Sequence, residues 1–134
     1  MFFPALAARG GRLIIIHGTG DYCVTPERTA QWFETVQARM GKEPVRAFAR
    51  YYAAPGLGHL FTGSGADAFP LFGALQSWVE RGAAPGRLIA TRLGPSGAAR
   101  YTRPVCEYGT FPKYAGTGDS RSAASYACTP TGGT

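Results

Sequence analysis

One stretch, L-I-I-I-H-G-T-G-D at residues 13–21, limits the folds open to this chain more than any other. Its first four residues are apolar and mostly β-branched, which is typical of a strand buried on both faces of a parallel sheet. A helix is predicted next at Pro26–Met40, with Thr25 as a side-chain N-cap and Gly41 as its stop. A second strand is predicted over residues 46–53, so the segment reads as a βαβ unit.

The rest of the chain is predicted to complete an α/β fold. A second helix is expected to begin at Asp67 and to end before Gly82, and residues 87–92 form one more short strand. The apolar face of that helix is predicted to hold Leu71, Phe72, Leu75, Trp78 and Val79. Beyond Leu93 the composition shifts to Gly, Pro, Ser and Tyr, which indicates an irregular tail. We therefore expect a βαβα part over residues 1–93 and a tail over residues 94–134 packed on the same domain.

Charge distribution and hydropathy argue against two classes of partner. The formal net charge is +6, but no two basic residues are adjacent and they are spread from Arg9 to Arg121. Because phosphate binding needs clustered Lys and Arg, no nucleic-acid partner is expected. No apolar run approaches the length of a membrane span, so no membrane partner is expected either.

Asp21 and His59 are the candidate catalytic residues. Asp21 lies five residues beyond Ile16 and His59 six beyond Ala53, so both fall on loops at the carboxyl ends of parallel strands. In an α/β-hydrolase the triad runs Ser, then Asp, then His along the chain; His takes the serine proton and Asp fixes its tautomer. The alternatives are that Asp21 only forms a turn and that His59 is a loop residue with no catalytic role. His17 is predicted to support loop packing only.

The nucleophile is not expected in this chain. Residues 1–20, where it should precede Asp21, contain no Ser and no Cys. Ser96, in G-P-S-G-A, and Ser64, in T-G-S-G, follow both partners and are not expected to attack. The sequence therefore predicts the C-terminal part of an α/β-hydrolase, inactive alone, whose partner is a missing N-terminal half.

Several motifs together resemble one family over nearly the whole chain. They are A-R-G-G-R-L-I-I-I-H-G-T-G-D, T-P-E-R-T, A-A-P-G-L-G-H, W-V-E-R-G-A-A-P-G-R-L-I-A-T, T-R-P-V-C, Y-A-G-T-G-D and A-S-Y-A-C. They resemble the C-terminal part of the tannase and feruloyl esterase family, which includes terephthalate half-ester hydrolases. The resemblance implies a secreted or periplasmic serine esterase acting on small esters of hydroxylated aromatic acids, with Asp21 and His59 in its triad.

The resemblance also bears on the cysteines and on metals. Cys106 and Cys128 flank the tail, where a cross-link would help most, although two free thiols are the alternative. The resemblance implies that these two pair. No C-x-x-C or H-x-x-x-H spacing occurs, and the family's calcium site lies in a lid domain that nothing here matches. No metal and no cofactor are therefore expected on this chain.

Two departures from the family pattern surround the candidate site. Leu60 stands where the family usually has a Cys bridged to the residue before its nucleophile. Cys23 is interpreted as a buried free thiol, with a cross-link to another partner as the alternative. Two other functions stay open: another α/β-hydrolase, of dienelactone hydrolase or peptidase type, and a non-catalytic remnant that binds a partner through an unpaired sheet edge.

Overall fold

The computed structural model describes residues 3–132, in which helices and strands are mixed as an α/β fold requires. The elements in chain order are α1 (Phe3–Ala8), β1 (Leu13–Gly18), α2 (Pro26–Met40), α3 (Lys42–Arg46), β2 (Ala49–Ala54), α4 (Leu71–Arg81), β3 (Leu88–Leu93), β4 (Ala99–Val105), β5 (Thr110–Tyr114) and β6 (Tyr126–Pro130). Short 3₁₀ turns lie at His59–Phe61 and Ala123–Ser125. The strands form three pairs: β1 with β2 in parallel, and β3 with β4 and β5 with β6 antiparallel.

The predicted βαβ unit is present. β1 and β2 run in parallel register from Leu13 opposite Ala49 to Gly18 opposite Ala54. The helix between them has the predicted bounds, but Thr25 caps it without a side-chain hydrogen bond. Its carbonyl oxygen accepts instead from the backbone N–H of Arg28 at 3.0 Å.

The second strand is shorter than predicted. It begins at Ala49, so residues 46–48 do not belong to it. A short helix, α3, follows Gly41, which has φ +88°, and occupies residues 42–46. Val45 on α3 and Phe48 in the connection are buried, so this apolar segment packs in the core outside any strand.

β2 is the centre of the described core, because it buries side chains on both of its faces. Ala49 and Tyr51 pack on one face against a cluster supplied by α2 and α3. Tyr52 and Ala54 pack on the other face against β3, β4 and the loop that follows β2. The hydroxyl of Tyr52 donates to the carbonyl of Gly86 at 2.7 Å, so the deepest polar group in the strand has a partner.

β1 is less buried than its apolar sequence predicts. Only Gly18 is fully buried, and the residues from Leu13 to His17 keep intermediate exposure. The reason is that, within residues 3–132, β1 pairs with β2 alone and its other edge has no strand beside it. An apolar, β-branched strand with one free edge is a surface suited to further strand pairing.

The second helix starts later than predicted and exposes part of its apolar face. Residues 67–70 are not helical, since Ala68 exchanges two backbone hydrogen bonds with Thr91 of β3, and α4 begins at Leu71. Trp78 is 3 % exposed as predicted, whereas Phe72 is 81 % and Val79 is 59 % exposed. Phe72 and Val79 are seven residues apart and therefore share one helix face. Gly82 ends the helix in the left-handed conformation, as predicted.

The tail is not irregular, so that part of the prediction was wrong. β4 pairs with β3 around a turn at residues 94–98, and β5 pairs with β6. The Gly- and Ser-rich composition lies in the turns, while Tyr, Thr and Val occupy the strands, where their shapes suit the pleat. The predicted disulfide between Cys106 and Cys128 is present and closes a 22-residue separation. Within residues 3–132, no helix is long and apolar enough to cross a bilayer.

Candidate active site

Two loops meet at the carboxyl end of the parallel pair. We call residues 19–25 the Asp loop and residues 55–63 the His loop. Their backbones are joined directly, because the N–H of Gly20 donates to the carbonyl of Leu57 at 2.8 Å. Gly18 allows this approach: a Cβ there would lie 2.3 Å from the same carbonyl oxygen. The close packing of Gly18 on Leu57 therefore sets the distance between the loops.

The His loop turns sharply directly after His59. Gly56 has φ +72°, as expected for a glycine that lets the loop bend. Leu60 and Phe61 have φ +54° and +58°, a left-handed conformation that non-glycine residues rarely adopt. The N–H of Gly58 donates to the carbonyl of Thr62 at 2.7 Å and closes this turn. Strained backbone of this kind concentrates at functional sites, where surrounding contacts hold it.

Asp21 and His59 are brought together as the sequence predicts. Asp21 Oδ2 lies 3.0 Å from His59 Nδ1. The other carboxylate oxygen accepts from the backbone N–H groups of Cys23 at 2.9 Å and Val24 at 3.0 Å. Asp21 thus forms a local turn, as the alternative expects, and also contacts the imidazole, while its catalytic role stays a prediction.

The carboxylate fixes which His59 nitrogen carries the proton. A carboxylate can only accept, so the 3.0 Å contact requires a proton on Nδ1 when the imidazole is neutral. Nε2 is then a free lone pair, and the side chain is 43 % exposed. An imidazole whose Nδ1–H is held by a carboxylate and whose unprotonated Nε2 is exposed is the arrangement that a general base needs.

His17 is a second imidazole on the same carboxylate, which the sequence did not indicate beyond its predicted role in packing. Its Nε2 lies 3.3 Å from Asp21 Oδ2 and 2.9 Å from the carbonyl of Val24. Both partners are acceptors, so Nε2 carries the proton, and Nδ1 accepts from the hydroxyl of Thr29 at 2.7 Å. The His17 side chain is 11 % exposed, so it braces the Asp loop from inside.

The electrostatics keep Asp21 ionised. The backbone N–H of Val24 does most to hold the pKa of Asp21 well below its ordinary value of 3.8, followed by the hydrogen bond from His59. Partial desolvation acts in the opposite direction, and the N–H of Cys23 lowers the pKa further. Asp21 is therefore an anion across the whole neutral and mildly acidic range.

Exposed apolar side chains and a thiol surround this pair. The two loops present large apolar groups to solvent: Tyr22 (85 % exposed), Val24 (50 %), Leu60 (84 %) and Phe61 (41 %). Cys23 is exposed, so its interpretation as a buried thiol was wrong. Its Sγ, a His59 ring nitrogen and an Asp21 oxygen all lie within 4.8 Å of one another.

Neither Ser96 nor Ser64 joins the pair. Ser96 is in the turn between β3 and β4. Ser64 lines a surface depression of about 490 Å³ with Arg92 and Tyr101, and neither Asp21 nor His59 contributes to that depression. Within residues 3–132, no serine hydroxyl forms a hydrogen bond with His59.

Comparison with known proteins assigns the family. The family model described as tannase and feruloyl esterase matches residues 3–129. The chain therefore belongs to the tannase and feruloyl esterase family, which decides against the dienelactone hydrolase and peptidase alternatives.

Relatives and solved structures agree with this assignment. The chain is 37 % identical over 126 residues to a mono(2-hydroxyethyl) terephthalate hydrolase of Piscinibacter sakaiensis, covering 92 % of the chain and 21 % of that protein. It is 35 % identical over 128 residues to a probable feruloyl esterase of Arthroderma benhamiae, covering 92 % and 24 %. An esterase structure from Aspergillus oryzae superposes with a TM-score of 0.85 at 25 % identity, covering 94 % of the chain and 29 % of that structure. The chain thus spans between a fifth and a third of the length of these proteins.

The packing of Gly18 on Leu57 predicts the effect of adding one methyl group. Gly18→Ala should force the two loops apart, destabilise the fold by about 1–3 kcal/mol and break the Asp21–His59 contact. Gly73→Ala is the matched control: nothing lies within 4 Å of its added Cβ, and in helix α4 it should stabilise by about 0.5–1 kcal/mol. Urea unfolding of both variants checks this, and an unchanged stability in Gly18→Ala would contradict the account.

The depressed pKa of Asp21 predicts how stability depends on pH. A carboxyl with a lowered folded-state pKa stabilises the fold fully above its ordinary value of 3.8, and this contribution is lost as the pH falls below that value. Asp21→Asn lacks this contribution, and its amide N–H₂ would face the ring N–H groups of His17 and His59. We expect Asp21→Asn to be clearly less stable than the unmodified chain at about pH 7, and the difference to shrink toward about pH 3.

The measurement is urea unfolding at both pH values, with Asp67→Asn as the control. Asp67 forms a partly exposed ion pair with Arg92, so its replacement should cost at most about 1 kcal/mol. A difference between Asp21→Asn and the unmodified chain that stays constant, or widens, toward low pH would overturn the assignment of Asp21 as a buried, stabilised anion.

Proposed function

We propose that this chain supplies the acid and the base of a serine carboxylic-ester hydrolase with the α/β-hydrolase fold. The observation that carries the proposal is the 3.0 Å contact between Asp21 Oδ2 and His59 Nδ1. Family membership and the likeness to solved esterases support the same reaction class.

In this reaction His59 acts through its free nitrogen. Nε2 removes the proton of a serine hydroxyl as that oxygen attacks the ester carbonyl, and it then returns the proton to the departing alcohol. A second cycle with water releases the acid from the acyl-enzyme. Asp21 stays ionised throughout, holds Nδ1–H and stabilises the imidazolium that forms at each proton transfer.

We place the serine in a part of the enzyme N-terminal to this segment, because the triad order is Ser, then Asp, then His and the chain spans only 21 % of the related terephthalate hydrolase. That part is the proposed partner of the chain. Three apolar surfaces support this arrangement: the free edge of β1, the exposed Phe72 and Val79 on α4, and the exposed side chains of the two loops. Helix α4 contacts β1, so the elements that carry the first two surfaces are neighbours. A partner that adds a strand beside β1 would bury much of this surface, and the chain alone would be inactive.

The substrate is proposed to be a small ester of a hydroxylated aromatic acid. The relatives are named as a terephthalate half-ester hydrolase and a probable feruloyl esterase, and both names describe aromatic acids. The apolar side chains beside His59 suit an aromatic ring. The disulfide supports a secreted or periplasmic location, because such bonds persist in oxidising compartments. No cofactor is needed for this chemistry.

A graft tests the function. This chain would replace the matching C-terminal segment of the Piscinibacter sakaiensis hydrolase, which supplies a complete enzyme around it. We expect the graft to hydrolyse an aromatic ester, and His59→Ala in the graft to lower the rate about a thousandfold or more.

The controls separate folding from chemistry. Ser64→Ala in the graft should leave the rate unchanged, because Ser64 lies outside the site. A Leu60→Cys graft restores the cysteine usual in the family and provides a second folded background if the first graft is unstable. A graft that folds with a cooperative thermal transition and is inactive, or whose activity survives His59→Ala, would contradict the proposal.

A further inference from the structure

The cluster formed by Asp21, Cys23 and His59 has a property that ester hydrolysis does not use. It joins a carboxylate oxygen, a thiol sulfur and an imidazole nitrogen, all within 4.8 Å of one another. These three donors are the ligand types of protein zinc sites, and together they do not suit magnesium or calcium, which prefer oxygen ligands alone. We propose that the cluster is a binding site for a single zinc-type divalent cation, built across the two loops.

The distances allow the metal to enter with small movements. Zinc binds imidazole nitrogen and carboxylate oxygen at about 2.0–2.1 Å, so in a tetrahedral site these two atoms lie about 3.3 Å apart. Asp21 Oδ2 and His59 Nδ1 already lie 3.0 Å apart. Sulfur binds at about 2.3 Å and needs a separation of about 3.5 Å from each of them. Cys23 is exposed, so rotation of its side chain supplies the remaining approach.

The rest of the site stays in place around the ion. Asp21 keeps its Oδ1 hydrogen bonds to the N–H groups of Cys23 and Val24, which orient the carboxylate as an outer shell does in metal sites. The fourth position opens toward solvent on the exposed side of His59 and would hold a water molecule. The cation would therefore be held at the surface, within reach from solution.

Metal binding changes the positions of two protons, one on Cys23 and one on His59. The thiol of Cys23 loses its proton to solvent as the metal–sulfur bond forms. The neutral His59 ring binds the metal through Nδ1 and carries its one proton on Nε2 instead. If the proposed function is right, this ion inhibits the esterase, because the nitrogen that must accept the serine proton is already protonated. Binding itself does not depend on that function and is tested without any substrate.

The test is titration of the full chain with Co²⁺, a spectroscopic substitute for Zn²⁺, followed by displacement with Zn²⁺. We expect one equivalent to bind and to give a thiolate-to-cobalt charge-transfer band in the near ultraviolet. Cys23→Ser should abolish that band, and His59→Gln should weaken binding. Loss of an outer-shell partner alone costs about 10- to 100-fold in metal affinity, so loss of this direct ligand should cost at least as much.

Both replaced side chains are solvent-exposed, so these variants should fold, and circular dichroism checks that they do. Glu27→Gln, which removes a carboxylate of the first turn of α2 that is outside the cluster, is the matched control and should bind as the unmodified chain does. Three results would overturn the proposal: no charge-transfer band, binding that Cys23→Ser leaves unchanged, or binding that His59→Gln leaves unchanged. The last result would mean a thiol that binds metal alone.

Discussion

The packing of Gly18 against the carbonyl of Leu57 determines the rest of the site. It lets two backbone segments approach to a distance that any side chain at residue 18 would prevent. The hydrogen bond from Gly20 N–H to Leu57 O then locks the loops together at 2.8 Å. Asp21 and His59 meet from these two loops. The carboxylate of Asp21 accepts two backbone hydrogen bonds and also contacts the imidazole of His59. The chemistry proposed for the chain follows from backbone contact first and from side-chain identity second.

The fold could be predicted where one local signal dominates. The apolar β-branched run of β1 and the Pro26–Met40 helix between a proline and a glycine follow from local preferences, and the structure has both. The tail could not be predicted in this way, because β4, β5 and β6 form through pairing between distant residues and a disulfide. The burial of β1 was overestimated for a related reason: burial depends on neighbours, and within residues 3–132 one edge of β1 has none.

Spacing along the chain was enough to predict that Asp21 and His59 would lie close together, but not the rest of the site. The positions of Asp21 and His59 after parallel strands indicated that they would meet, since parallel strands end at the same sheet edge. The second imidazole was missed, because H-x-x-x-D spacing carries no meaning until the turn of the Asp loop folds His17 back beneath the carboxylate. Cys23 was misread as buried for the same reason. Its exposure and its proximity to His59 depend on the path of two loops, which no local pattern encodes.

The most direct test of this account is the protonation pattern of the two imidazole rings, read from a long-range ¹H–¹⁵N correlation spectrum of the metal-free chain at neutral pH. His17 and His59 are the only histidines, so each is the reference for the other. The geometry predicts opposite tautomers: the proton on Nδ1 of His59, held by Asp21, and on Nε2 of His17, held by Val24 O and Asp21. A His59 ring with its proton on Nε2, or with an even mixture of both forms, would contradict the claim that Asp21 holds His59 ready to act as a base.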